Sequence, residues 1–124
     1  MSKIDDIQER MIALAQHLLD RTRQDKVVWT STDDSRRFSY SGRKSSIWIE
    51  GKVDGDGDWV GTLTLLNSEG EVVERLSTDF DPEDEDGNFN PHPHNKILES
   101  LHDLARRQAL NIDTLIDETI SELQ

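Results

Sequence analysis

The chain has no cysteine. Disulfides, thiolate metal sites and cysteine nucleophiles are therefore excluded, and the absence fits a reducing compartment. Uninterrupted apolar runs are missing as well. Charges punctuate the opening MSKIDDIQERMIALAQHLLDR, which reads as neither a signal peptide nor a membrane span. The expectation is a soluble cytoplasmic protein with no membrane partner. Aromatic residues make up only 6% of the chain, few enough to follow one by one. Positive charge is scarce, with 14 Lys and Arg against 26 Asp and Glu, a net charge of −12. The deficit is lopsided: residues 1–52 hold ten basic against eight acidic residues (+2), and residues 53–124 hold four against eighteen (−14). An anionic surface repels phosphates and anionic lipid and speeds encounter with basic proteins. A DNA-binding domain would show the opposite sign, so direct nucleic-acid binding is not expected and a basic protein partner is.

What is present fits one domain. A chain of 124 residues buries roughly two thirds of its unfolded surface, enough for a core without staples. The predicted fold is α+β in a single domain, 1–124: a helix over 1–25, an antiparallel sheet over 26–78, an acidic loop over 79–95 and a helix pair over 96–124. Ser2 and Asp5 have capping-box spacing. Ile4, Ile7, Met11, Leu14 and Leu18 then mark one helical stripe, widened by Ile12, Ala15 and Leu19. The segments KVVWTS, RFSYS, SIWIEGKV, WVGTLTLLN and EVVERLS are rich in β-branched and aromatic residues, and short turn-rich links separate them. They predict a meander of four or five strands. Ile47, Ile49 and Val53 share one face, as do Trp59, Leu63 and Leu65, and Val72 and Leu76. The mixture of apolar and polar faces predicts helices on one side and water on the other.

Further on, Ile97, Leu98, Leu101, Leu104, Ala105 and Ala109 form a second helical stripe, with Asp103 and Arg107 as a surface pair. Asn111 suits a left-handed cap and Asp113 the cap of a last helix, running from Thr114 and burying Leu115, Ile116, Ile120 and Leu123. The helix pair is expected to pack on the sheet.

Residues 79–96, DFDPEDEDGNFNPHPHNK, crowd six carboxylates and two histidines together. Calcium is one reading of this stretch and of DGDGD at 54–58, because an EF-hand loop needs oxygen ligands at positions 1, 3, 5 and 12 and glycine at 6. Counted from Asp54, position 6 is Trp59 and position 12 is Leu65. With Gly87 at position 6, position 1 is Pro82 and position 12 is Pro93. Both frames fail, which leaves a glycine-rich turn and a solvated loop. Zinc is another reading, through His92 and His94, but four ligands are the norm for a structural site, and His102 would stand about 12 Å from His94 along a helix. A surface histidine pair is expected instead, with no metal and no cofactor.

YSGRKSS lacks the phosphate-loop spacing, Ser41 lacks a nucleophile elbow, and nothing around the paired carboxylates would bury them for acid–base work. No enzyme is indicated. The segment ARRQALNIDTLIDETISEL resembles a helix–turn–helix only in outline, since its last helix carries acids where a recognition helix carries Lys or Arg.

What remains is surface. Trp48 points away from Ile47 and Ile49, which implies either helices on both sheet faces or an exposed aromatic patch. Arg36, Arg37 and the RKSS segment could neutralise the acidic half from within. The reading that results is a non-enzymatic acidic protein-binding module, an inhibitor, immunity or antitoxin-type protein directed at a basic partner. Its expected contacts are Asp54, Asp56, Asp58, Asp79, Asp81, Glu83, Asp84, Glu85 and Asp86, with Trp48 and Phe89 as apolar anchors. Two alternatives are a homo-oligomeric subunit built on the Ile4–Leu18 stripe and a small metal-binding protein using Asp84, Asp86, His92 and His94.

Overall fold

The structure, a computed structural model, describes residues 6–80, 85–87 and 91–124. Helix α1 spans Asp6–Arg23, with Asp6 and Glu9 in its first turn and Arg21 and Arg23 in its last, the signs that suit the helix dipole. Met11, Ala15, Leu18 and Leu19 are buried from its stripe. Ile4 and the Ser2–Asp5 capping pattern lie outside the described residues.

Five strands follow, β1 (Thr30–Ser31), β2 (Arg37–Ser41), β3 (Ser45–Val53), β4 (Trp59–Asn67) and β5 (Val72–Ser77), then α2 (His94–Ala109) and α3 (Ile112–Leu123). The sheet is an antiparallel meander in chain order. Register places Phe38, Ile49, Leu63 and Leu76 opposite one another in one row, and all four are buried. Over this row lie α1 and α2. From α2, Leu98, Leu101 and Ala105 are fully buried, each leucine stabilising the fold by roughly 1.5–3 kcal/mol. The fold is α+β, with the C-terminal pair joined to the sheet through α2.

Strand β1 is much shorter than KVVWTS predicts. The Gln108 side chain of α2 replaces the missing ladder: its Oε1 accepts from Trp29 N at 2.6 Å and its Nε2 donates to Val27 O at 3.0 Å. Trp29 is 2% exposed, and its indole N–H donates to Thr22 Oγ1 at 2.9 Å. Thr22 Oγ1 in turn donates to Leu18 O. A buried Trp thus has its one polar atom satisfied.

Two expected face-mates fall outside the core. Val53 ends β3 and is exposed. Val72 is displaced by a register shift between Leu65 and Leu66, pairs with Leu66 and is also exposed. Trp59 meets its expectation differently: its indole lies flat over Gly51 and Gly61, which face each other across β3 and β4. A Cβ at either glycine would overlap that ring.

The clearest departure is α3. Leu115, Ile116, Ile120 and Leu123 are exposed, and the helix buries no residue. A five-stranded sheet is about 20 Å across, and two helices at about 10 Å each cover it. With α1 and α2 already in place, a third helix finds no open core to fill. Asn111 takes the left-handed conformation at φ 57° and directs the chain away from α2. Asp113 sits in the first turn of α3 instead of capping it, because Asn111 holds the cap position.

Candidate functional site

The acidic turn DGDGD is a hairpin that uses its own first carboxylate. Asp54 Oδ1 accepts from Asp56 N at 2.9 Å and from Asp58 N at 3.0 Å. The backbone closes the turn through Gly57 N to Asp54 O, with Gly57 at φ 86°, the region glycine reaches without a steric cost. The β4–β5 turn repeats the device, with Asn67 Oδ1 accepting from Glu69 N and Glu71 N and Gly70 at φ 81°. Asp54 is therefore a turn-forming residue and presents less of its carboxylate to a partner than Asp56 and Asp58, whose side chains are exposed.

The acidic stretch is closed at its mouth. Asn95, 8% exposed, accepts from Asp79 N through Oδ1 at 2.9 Å and donates to Asp79 O through Nδ2 at 2.8 Å. His92 N also donates to Asp79 O, and Phe80 bridges to Pro91. Asp79 Oδ1 accepts from Phe80 N, and Asp79 Oδ2 stands 3.8 Å from His92 Nε2. The two ends are thus pinned together, with Glu85 and Asp86 exposed between them. Asp81, Glu83, Asp84 and Phe89, four of the expected contacts, lie outside the described residues. Asn95 carries the arrangement, yet nothing in its sequence context marks it: an amide beside a histidine before a helix is common.

The histidines do not form the expected surface pair. His94 begins α2, is buried, and its Nε2 lies 2.9 Å from Ser77 O. Its ring meets the half-buried His92 edge-on at 5.7 Å. Among the described residues, no three His, Asp or Glu side chains come together in a way that could hold an ion. His102 packs between Phe38 and Trp59, 5.5 Å from each ring, and its Nε2 donates to Arg36 O at 2.9 Å. Burial pulls its pKa below the ordinary 6.5 against the opposing pull of that carbonyl.

The three tryptophans do not make one patch. Trp29 and Trp59 face the helices. Trp48 lies on the opposite face, where the Arg37 guanidinium covers its ring at 4.2 Å. Arg37 also reaches Glu50 Oε2 at 3.4 Å. As an apolar anchor, Trp48 would first have to shed this arginine.

The ion pairs of the first half are local in sequence. Arg23 pairs with Asp20, Arg36 with Asp34 and Arg37 with Glu50, all within residues 1–52. The backbone N–H of Arg36 holds the Asp34 carboxyl below its usual range. Among the described residues, these three arginines pair with neighbours in their own half. In the acidic half Arg107 is taken by Asp103 and Asp113, the latter at 3.0 Å.

Helix α3 supplies the feature that the sequence pattern concealed. Its apolar side chains Leu115, Ile116, Ile120 and Leu123 stand between 49% and 81% exposed, and Ile112, Leu115, Ile116, Thr119 and Ile120 line a shallow apolar groove. All its charged residues, Asp113, Asp117, Glu118 and Glu122, are acidic.

Fold and surface together define a small α+β domain with an uncovered acidic helix and no helix, among the described residues, long and apolar enough to cross a membrane. The chain matches no family model, no curated protein and no solved structure.

Proposed function

We propose that this chain is a soluble, cytoplasmic, non-enzymatic binding module that docks onto a basic protein, in the manner of an inhibitor, immunity or antitoxin-type protein. The observation that supports the reading is the imbalance of charge: among the described residues Arg23, Arg36 and Arg37 pair within residues 1–52, while residues 53–124 carry eighteen acids against four bases. A field left uncompensated inside the molecule is available to a partner, where it raises the association rate and selects positive surfaces. The exposed carboxylates of Asp56, Asp58 and Glu85 belong to that field. Use of the Ile4–Leu18 stripe for an oligomer is less favoured, because Met11, Ala15 and Leu18 are spent in the core.

The test is capture of partners from the native cell at low and moderate salt, beside a variant with Asp79, Asp81, Glu83, Asp84, Glu85 and Asp86 changed to Asn or Gln. A basic protein held by the native chain and lost from the variant, or lost on adding salt, is the expected result. Equal retention by both chains at both salt concentrations would end the reading.

A further inference from the structure

The apolar face of α3 has no cover among the described residues. Ile112, Leu115, Ile116, Thr119, Ile120 and Leu123 fall on one arc at the ~100° turn per residue of an α-helix, and the four aliphatic side chains after Ile112 are exposed. On the same wheel Asp113 and Glu122 border the arc on its two sides, with Asp117 and Glu118 further round. No basic residue is present in the last turn, where cations would favour the dipole. A helix of 12 residues is marginal alone in water and gains most of its stability from packing an amphipathic face. Such a face, with anchors three or four residues apart, suits the helix-in-groove mode of recognition.

The borders say what kind of groove. Two copies of α3 packed face to face would bring acidic rims against acidic rims on a chain of net charge −12, an arrangement like-charge repulsion opposes. An apolar channel edged by Lys and Arg satisfies both the aliphatic arc and its flanks. We infer that α3 is a docking helix whose exposed Leu115, Ile116, Ile120 and Leu123 insert into an apolar groove with basic rims on another protein. This rests on the proposed basic partner and adds the element that supplies the apolar contact and the shape of the surface it enters. The acidic field would bring the partner in, and the α3 side chains would slow its departure.

The test places the photo-crosslinking residue p-benzoylphenylalanine in the full chain, at Ile116 on the apolar arc or at Ser121 on the opposite side, within the native cell. The expected result is crosslinking from position 116, and not from 121, to a protein whose joined peptide is apolar and bordered by Lys or Arg. Leu115→Ser combined with Ile120→Ser should lower that crosslink by at least about tenfold, because both changes remove aliphatic surface that the groove would bury. Thermal stability should not change, because neither residue is part of the core. Crosslinking only to a second copy of the chain, equal crosslinking from 116 and 121, or joined peptides from acidic surfaces would each overturn the inference. The two ideas fail separately. If neutralising residues 79–86 abolishes capture while the α3 double variant retains it, the basic-partner reading stands and the docking helix falls. If neither change reduces capture, both fall.

Discussion

Gly61 and His102 show how single residues set this molecule's tolerances. Trp59 occupies the space above Gly51 and Gly61, and at Gly61 a Cβ would also meet Glu50 O. The backbone oxygen cannot swing aside as a side-chain tip would. Gly61→Ala is expected to cost about 1–3 kcal/mol of overpacking strain, read as a lower urea midpoint with an unchanged slope. His102 sets a pH response. Its folded pKa lies below 6.5 because burial disfavours the imidazolium. Between that folded value and 6.5, the unfolded chain binds a proton that the folded chain refuses, so stability falls as pH drops through about 6.5 and levels off below the folded pKa. His102→Phe, which keeps a ring between Phe38 and Trp59, should flatten that part of the stability–pH curve. Denaturant melts at pH 5, 6 and 7 would check it.

At the scale of elements, strands that carry their own boundaries were legible. RFSYS and WVGTLTLLN end where turn residues begin, and each coincides with its strand. The two hairpin turns close through side chains a few residues away, so local sequence contains their whole explanation. Elements whose fate depends on distant partners were less so. The shortness of β1 follows from Gln108, 79 residues away from Trp29. Gln108→Ala leaves Trp29 N and Val27 O without their protein partner and should destabilise the fold by about 1–3 kcal/mol. Hydrogen exchange at Trp29 would accelerate in that variant. Periodicity likewise identified α3 as amphipathic but held no information on whether anything covers it, because a stripe looks the same over a core and under water. Asn111 tests the junction: at φ 57° a β-carbon is disfavoured by roughly 1–2 kcal/mol, so Asn111→Ala should loosen α3 and Asn111→Gly should not. Amide exchange within 112–123 reports the difference.

For the whole molecule, the charge imbalance acts on stability as well as on encounter. A net charge of −12 on a small domain repels itself, and screening shortens the range of that repulsion to about 10 Å at 0.1 M salt. Raising NaCl from about 0.01 M to about 0.1 M should increase the thermal midpoint. A midpoint independent of salt would mean that the acidic groups are too well separated to repel. The docking surface proposed for this molecule was half legible: the acids were visible by composition, whereas the pairing of Arg23, Arg36 and Arg37 with Asp20, Asp34 and Glu50 depended on which neighbours those side chains chose.

The neighbour-to-neighbour order β1–β5 also sets a sequence in time. Each hairpin can close as soon as its second strand has been synthesised, since its partner has just preceded it and the loop to be closed is short. The apolar stripe of α1 has no such partner nearby. It packs mainly against α2, and to a lesser extent on β5, so α1 leaves the ribosome with its aliphatic side uncovered and keeps most of it so until α2 emerges. During that interval the nascent chain holds a finished scaffold and an unfinished interior, and a stalled ribosome would display the same greasy helix for as long as the stall lasts.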